Sequence, residues 1–127
     1  MTARWHTVRE GDTLTLGRRA GMRFDVVAEA EWMLAAAPAR ADAFRLRLAH
    51  QVRQDVWRAL QRVRGLTPVV SVSTEVLRVH VRAGADLSGG RPTARLGETL
   101  GALLADSARI ARWTVTAQRA GLGRSTE

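Results

Sequence analysis

The chain contains no cysteine, no lysine and no tyrosine. Without cysteine there is no disulfide framework, no thiol nucleophile and no thiolate metal site. That composition fits a reducing compartment. Proline occurs three times, and isoleucine once, as Ile110. No stretch approaches the roughly 18 consecutive apolar residues that a membrane-spanning helix needs. The longest low-polarity stretch, residues 32–39, is short and holds Pro38. The opening residues, Met1 to His6, lack the apolar core of a signal peptide. A soluble protein without a membrane partner is expected, in the cytoplasm or within an assembled particle.

What is present fits one folded unit. The 127 residues are 46% hydrophobic and 25% charged, and a domain takes roughly 100–200 residues. A chain of this size buries about two-thirds of its unfolded surface, so it needs no covalent staples. All twenty basic residues are Arg, against twelve acidic ones, which leaves a formal charge of +8. The exclusive use of Arg, with abundant Ala, fits a GC-rich coding sequence and says little about function. The excess of basic over acidic residues is a separate fact. It points to an anionic partner, either nucleic acid or an acidic protein face.

Periodicity assigns the elements. Residues 4–17 read as a short extended segment, followed by a turn at Arg18-Arg19-Ala20-Gly21. From Met22 to Leu34 the pattern has a period of two. Met22, Phe24, Val26, Ala28, Ala30, Trp32 and Leu34 fall on one side, with Asp25, Glu29 and Glu31 on the other. Side chains alternate across a strand, so this predicts one long half-buried strand. Residues 41–64 read as a helix with Asp42 in its first turn. Its apolar stripe is Phe44, Leu48, Val52, Val56, Ala59, Leu60 and Val63. Residues 68–83 read as a hairpin turning at Ser73-Thr74-Glu75. Residues 94–120 read as a second helix with Thr93 as N-cap. The fold class expected is α+β in the order ββαββα, an antiparallel sheet with two helices packed on one face. It spans 1–127 as a single domain, with residues 1–5 and 122–127 as flexible ends and 84–93 as a mobile loop.

Three surfaces offer themselves for binding. Arg40, Arg47, Arg58 and Arg62 form a nearly straight ridge opposite the first helix's apolar stripe. Guanidinium forks match phosphate geometry, so the ridge reads as a polyanion or nucleic-acid contact. It reads equally as a solvated face in an Arg-rich chain. Trp113 falls well off the second helix's stripe, beside Ala102 and Arg109. Trp and Arg are enriched in binding hot spots, so these three are the candidate protein interface. Across the sheet, Arg78, His80 and Arg82 would meet Asp25, Glu29 and Glu31, a pairing that makes those charges structural.

Catalytic signals are sparse. His6, His50 and His80 fall on three different elements, without the i,i+4 spacing of a helical metal site. No Gly-x-Ser-x-Gly elbow occurs. Residues Ser88-Gly89-Gly90-Arg91-Pro92 lack the Gly-Lys-Ser/Thr of a phosphate-binding loop. No catalytic residue, metal or cofactor is expected. His6 to Leu14 resembles the opening of a LysM glycan-binding module, and Gly11 to Arg18 resembles the start of an FHA domain. Neither family's later motifs follow, so no residue role is carried over from either.

The function expected is therefore non-enzymatic. The first reading is a structural or assembly protein that self-associates or contacts a protein partner in a larger particle, such as a phage-like head–tail or tail component. The alternative is a nucleic-acid-binding protein that uses the arginine ridge.

Overall fold

Alternating apolar side chains build a sheet of five strands, and three amphipathic helices supply the apolar surface that one sheet cannot bury alone. The computed structural model describes residues 5–125, with side chains described through Arg119. The expectations for residues 1–4, 126 and 127 lie outside the described residues.

Among the described residues, five strands and three helices replace the expected four and two. The segment read as one extended piece is a hairpin of β1 (His6–Glu10) and β2 (Thr13–Gly17). Its turn is made by Gly11, at φ 61°, and Asp12. The long strand shortens to β3 (Val26–Met33). Residues 22–25 leave its line because their side chains are held elsewhere. Phe24 lies beneath the Arg82 guanidinium, 4.6 Å from ring centroid to Cζ. Asp25 Oδ2 accepts from the Leu87 N–H at 2.7 Å.

Helix α1 (Ala41–Leu60) follows, and Gly65, at φ 74°, turns the chain into β4 (Thr67–Glu75). Then come β5 (Arg78–Asp86), α2 (Ala94–Leu104) and α3 (Ser107–Ser125). The observed order is βββαββαα.

Two boundaries differ for local reasons. The β4–β5 turn is Val76-Leu77, three residues beyond the start of the expected one, because Glu75 pairs with Arg78 in register. The expected single helix over 94–120 breaks at Ala105-Asp106. Asp106 Oδ1 accepts from the Ala108 and Arg109 N–H groups at 3.0 and 3.2 Å, which starts a new helix. The backbone stays helical past Gly121, to Ser125. The stretch expected as a loop from residue 84 is strand to Asp86, and Leu87 is buried.

The sheet runs β1-β2-β4-β5-β3, and all neighbours are antiparallel. Leu14 stands opposite Val72, Val72 opposite Val81, and Val81 opposite Ala30. That apolar row meets Phe44, Leu48, Val52 and Val56 of α1 and Leu96 and Leu100 of α2 in one core. Helix α1 packs on β2, β4 and β5, and α2 packs on β3 and β5. Helix α3 packs on α1 and α2. Gly84 is required where β5 meets β3: a Cβ there would stand 1.8 Å from the Val26 carbonyl oxygen.

On the opposite sheet face two of the contacts expected across β3 and β5 form, each two residues out of direct register, while Arg82 lies over Phe24 and Asp25 pairs with Arg23. His80 Nε2 lies 2.7 Å from Glu29 Oε1, and Arg78 Nε 3.8 Å from Glu31 Oε2. No helix among the described residues is long and apolar enough to cross a membrane.

Candidate anion-binding cleft

The β1–β2 hairpin sets one wall. His6 pairs with Gly17 at its open end, so the next rung brings Trp5 beside Arg18. Helix α1 sets the other. At 100° per residue, His50, Arg53 and Trp57 share one flank of the helix. Between the walls lies a cleft of about 430 Å³, floored by Leu66, Thr67 and Pro68 where β4 begins.

Aromatic contacts position the cations. The Arg53 guanidinium carbon stands 4.4 Å from the Trp5 ring centroid, and that of Arg18 stands 5.2 Å from it. His50 meets the same indole edge-on, with centroids 6.0 Å apart and planes at 86°. Each guanidinium gains cation–π attraction on the indole, about 0.5–1 kcal/mol at exposed sites. Arg53 Nε donates to His50 Nδ1 at 3.3 Å, which marks Nδ1 as an acceptor. Burial, and secondarily the Arg53 charge, hold the His50 pKa below its ordinary value. Burial, and then the like charge of Arg18, lower that of Arg53. Among the described ion pairs no carboxylate reaches Arg18 or Arg53 within 4.0 Å. Two cations therefore share one cleft beside one indole, with no carboxylate partner among the described residues. The second indole, Trp57, is 45% exposed at the cleft wall.

The expected arginine ridge lies about 100° around α1 from this flank. Arg40 holds the N-cap position of α1 but makes no side-chain cap. Arg47 is half-buried, and Arg62, beyond the end of α1, is exposed. Arg58 is partly neutralised, with Nη1 at 3.3 Å from Asp55 Oδ1.

The expected interface at Trp113 is corrected. Trp113 is fully buried, and its Nε1 donates to Asp55 Oδ2 at 2.8 Å. The helix break at Asp106 resets the phase, so Trp113 turns inward against α1. Ala102 stays on α2, exposed and separated from it. Arg109 is spent on Asp55 at 3.4 Å and Asp106 at 3.2 Å, and Arg112 also binds Asp55. These residues form a structural knot around one buried carboxylate.

The glycine loop is likewise committed to itself. The Ser88 N–H donates to Asp86 Oδ1 and the Gly90 N–H to the Leu87 carbonyl. Among the described residues no group of three His, Asp or Glu is placed to share a metal ion. Trp5 and Arg18 were outside the sequence-derived site. The signal for them was rung arithmetic: both lie equally far from the Gly11-Asp12 turn.

In comparisons with known proteins, no family model, no curated protein and no solved structure matches the chain.

Proposed function

We propose that this protein is a non-enzymatic nucleic-acid-binding protein that engages phosphate through the cleft and the adjoining arginine-rich surface of α1. The observation that carries the reading is the pair Arg18 and Arg53, each held against Trp5 and, among the described residues, without a carboxylate partner. A guanidinium stacked on an aromatic ring loses rotamer freedom before it binds, so less is lost on binding. Its N–H fork then suits a phosphate in two-point contact. The excess of positive charge gives a field that draws a polyanion toward it.

The test is fluorescence anisotropy with labelled DNA and RNA between about 50 and 200 mM salt. The variant Arg18→Glu with Arg53→Glu is expected to lose at least about tenfold in affinity, a difference of roughly 1.4 kcal/mol. Reversal of Arg47 and Arg58 weakens binding further if the ridge extends the site. A protein with no affinity for either nucleic acid at low salt defeats the proposal.

A second reading, the structural or assembly protein of a larger particle, is supported by a different feature. Strand β3 is a sheet edge of eight residues without proline, and unpaired edges accept strands from other chains. It ends at Met33, 62% exposed, close to the β4–β5 turn where Val76 is 80% exposed. Under this reading, light scattering after nuclease treatment finds an oligomer that Met33→Glu with Val76→Glu dissociates. A monomer throughout counts against it.

A further inference from the structure

We infer that the cleft is a pocket for one unpaired nucleotide, with its phosphate on Arg18 and Arg53 and its base stacked on Trp57, so that the protein prefers single strands to duplex. The inference rests on the nucleic-acid reading above and narrows its ligand. The division of labour follows from the two indoles. Trp5 already carries two guanidinium groups and an edge-on His50, so it positions cations and offers little open ring. Trp57 carries none of these partners and is 45% exposed, one helical turn from Arg53 on the same flank. Two cations and a part-exposed indole therefore line the same cleft, the pairing that a phosphate joined to a flat ring requires.

Duplex geometry does not fit this arrangement. A base inside a duplex is stacked above and below, so it presents its edges and not its face. Only an unpaired base, or one turned out of the stack, offers a π-face to a side chain. The cleft volume of about 430 Å³ lies within the range of small-ligand pockets, about 300–1,000 Å³. Its remaining lining is Leu66, Thr67 and Pro68, of which Thr67 alone carries a side-chain hydrogen-bonding group, too little to read a base edge. Stacking of this kind tolerates all four bases. At neutral pH the pocket's positive charge comes from the two guanidinium groups, since His50 is held neutral by burial and by Arg53.

The experiment compares one oligothymidylate of about 16 nucleotides with the duplex it forms with oligoadenylate, and with heparin, which has anionic groups and no bases. An acidic peptide of matched charge is the fourth probe. The single strand is expected to bind at least about tenfold more tightly than the duplex, and oligoadenylate within a few-fold of oligothymidylate. Trp57→Ala is expected to weaken single-strand binding by about fivefold to 150-fold, the range for loss of one base–aromatic stack. Trp57→Phe retains a ring and most of the affinity, and duplex binding is unchanged by either variant. Trp57 is partly exposed, so thermal melts of both variants should match the parent. A bound base also shifts the Trp57 indole N–H resonance in a nitrogen-15 spectrum, whatever the variants do. Equal affinity for strand and duplex, with no effect of Trp57→Ala, overturns the pocket while leaving the nucleic-acid reading intact. Binding of heparin as tight as that of the strand also overturns it. Binding of the acidic peptide alone overturns both.

Discussion

Replacing Asp55 tests whether Trp113 is a structural lock or a surface anchor. Asp55 is 3% exposed, and its carboxylate gathers the Trp113 indole N–H together with Arg58, Arg109 and Arg112. Asp55→Ala leaves a fully buried indole N–H without an acceptor, a loss of about 1–3 kcal/mol. The three guanidinium groups are 67%, 42% and 50% exposed, so they turn to water and lose little each. The combined cost is about 3 kcal/mol, and most of it belongs to the indole. Asp55→Asn keeps an amide oxygen for Trp113 and loses only the charge, about 1 kcal/mol. At about 2.1 cal/mol/K per residue, these costs lower Tm by about 11 °C and about 4 °C. Trp113→Phe removes the donor, and in that background the Ala–Asn difference should shrink by about 2 kcal/mol. Urea denaturation of the parent, the three single variants and the two double variants measures the cycle. Equal stability for Asp55→Ala and Asp55→Asn, with no coupling to Trp113→Phe, refutes the lock.

Four further perturbations follow from the same geometry. The Arg23 and Ser88 N–H groups, with Arg19 and Arg23 charges nearby, hold the Asp86 carboxyl below its usual pKa. Its contribution to stability is therefore present above the unfolded value of about 3.9 and lost as pH falls through the lowered native value. Asp86→Asn should lower stability at neutral pH and flatten the acid limb of a stability-against-pH curve. Val76 is β-branched at φ 54°, a conformation that costs roughly 1–2 kcal/mol, and its side chain is exposed. Val76→Gly should raise Tm by about 4 °C, and a fall would show that the side chain makes a needed contact. Gly84→Ala drives a methyl into the backbone of β3, so it should cost about 3 kcal/mol or more and raise hydrogen exchange in β3 above that in β4. Single-strand affinity confined to one phosphate on Arg18 and Arg53 should fall with a log–log salt slope of about −0.7, and a slope near −3 would add further phosphates, held by the ridge arginines, to the site.

The parts of the fold that read clearly are those where one periodicity governs a whole element. Ala28, Ala30 and Trp32 face the core while Glu29 and Glu31 face outward, so β3 is visible as alternation. Phe44, Leu48, Val52 and Val56 mark α1 in the same way. The errors lie where a short local signal competes with a longer pattern. Asp106-Ser107 is an N-cap signal, but Ile110, Ala111 and Val115 continue the phase of the α2 row in sequence and hide the break, whereas α3 buries Trp113 and Ala117. Met22 and Phe24 continue the alternation of β3 in sequence, yet Phe24 is claimed by Arg82 on another strand. Val76 occupies a turn that residue preference assigns to Gly or Asn. In each case a tertiary contact or a strained backbone outweighs the local pattern.

Charge was legible as an amount before it was legible as a place. The acidic residues proved to be largely committed: Asp42 to Arg9 and Arg45, Asp55 to three guanidinium groups, Glu29 and Glu31 to the sheet, Asp86 to backbone amides. Where the partner is an arginine, as at Asp42, Asp55 and Glu31, the commitment neutralises it at that spot and leaves the net excess elsewhere. Four of the residues around the cleft, Trp5, Arg18, Arg53 and Trp57, come from three chain segments that only the hairpin register and α1 bring together. No linear pattern joins them, whereas Arg40, Arg47, Arg58 and Arg62 form a conspicuous row on a helical projection. The row is easier to see, but without an aromatic platform its guanidinium forks are less pre-organised and lose more rotamer freedom on binding. The cleft couples charge to shape, and that coupling separates recognition of a nucleotide from general attraction to a polyanion.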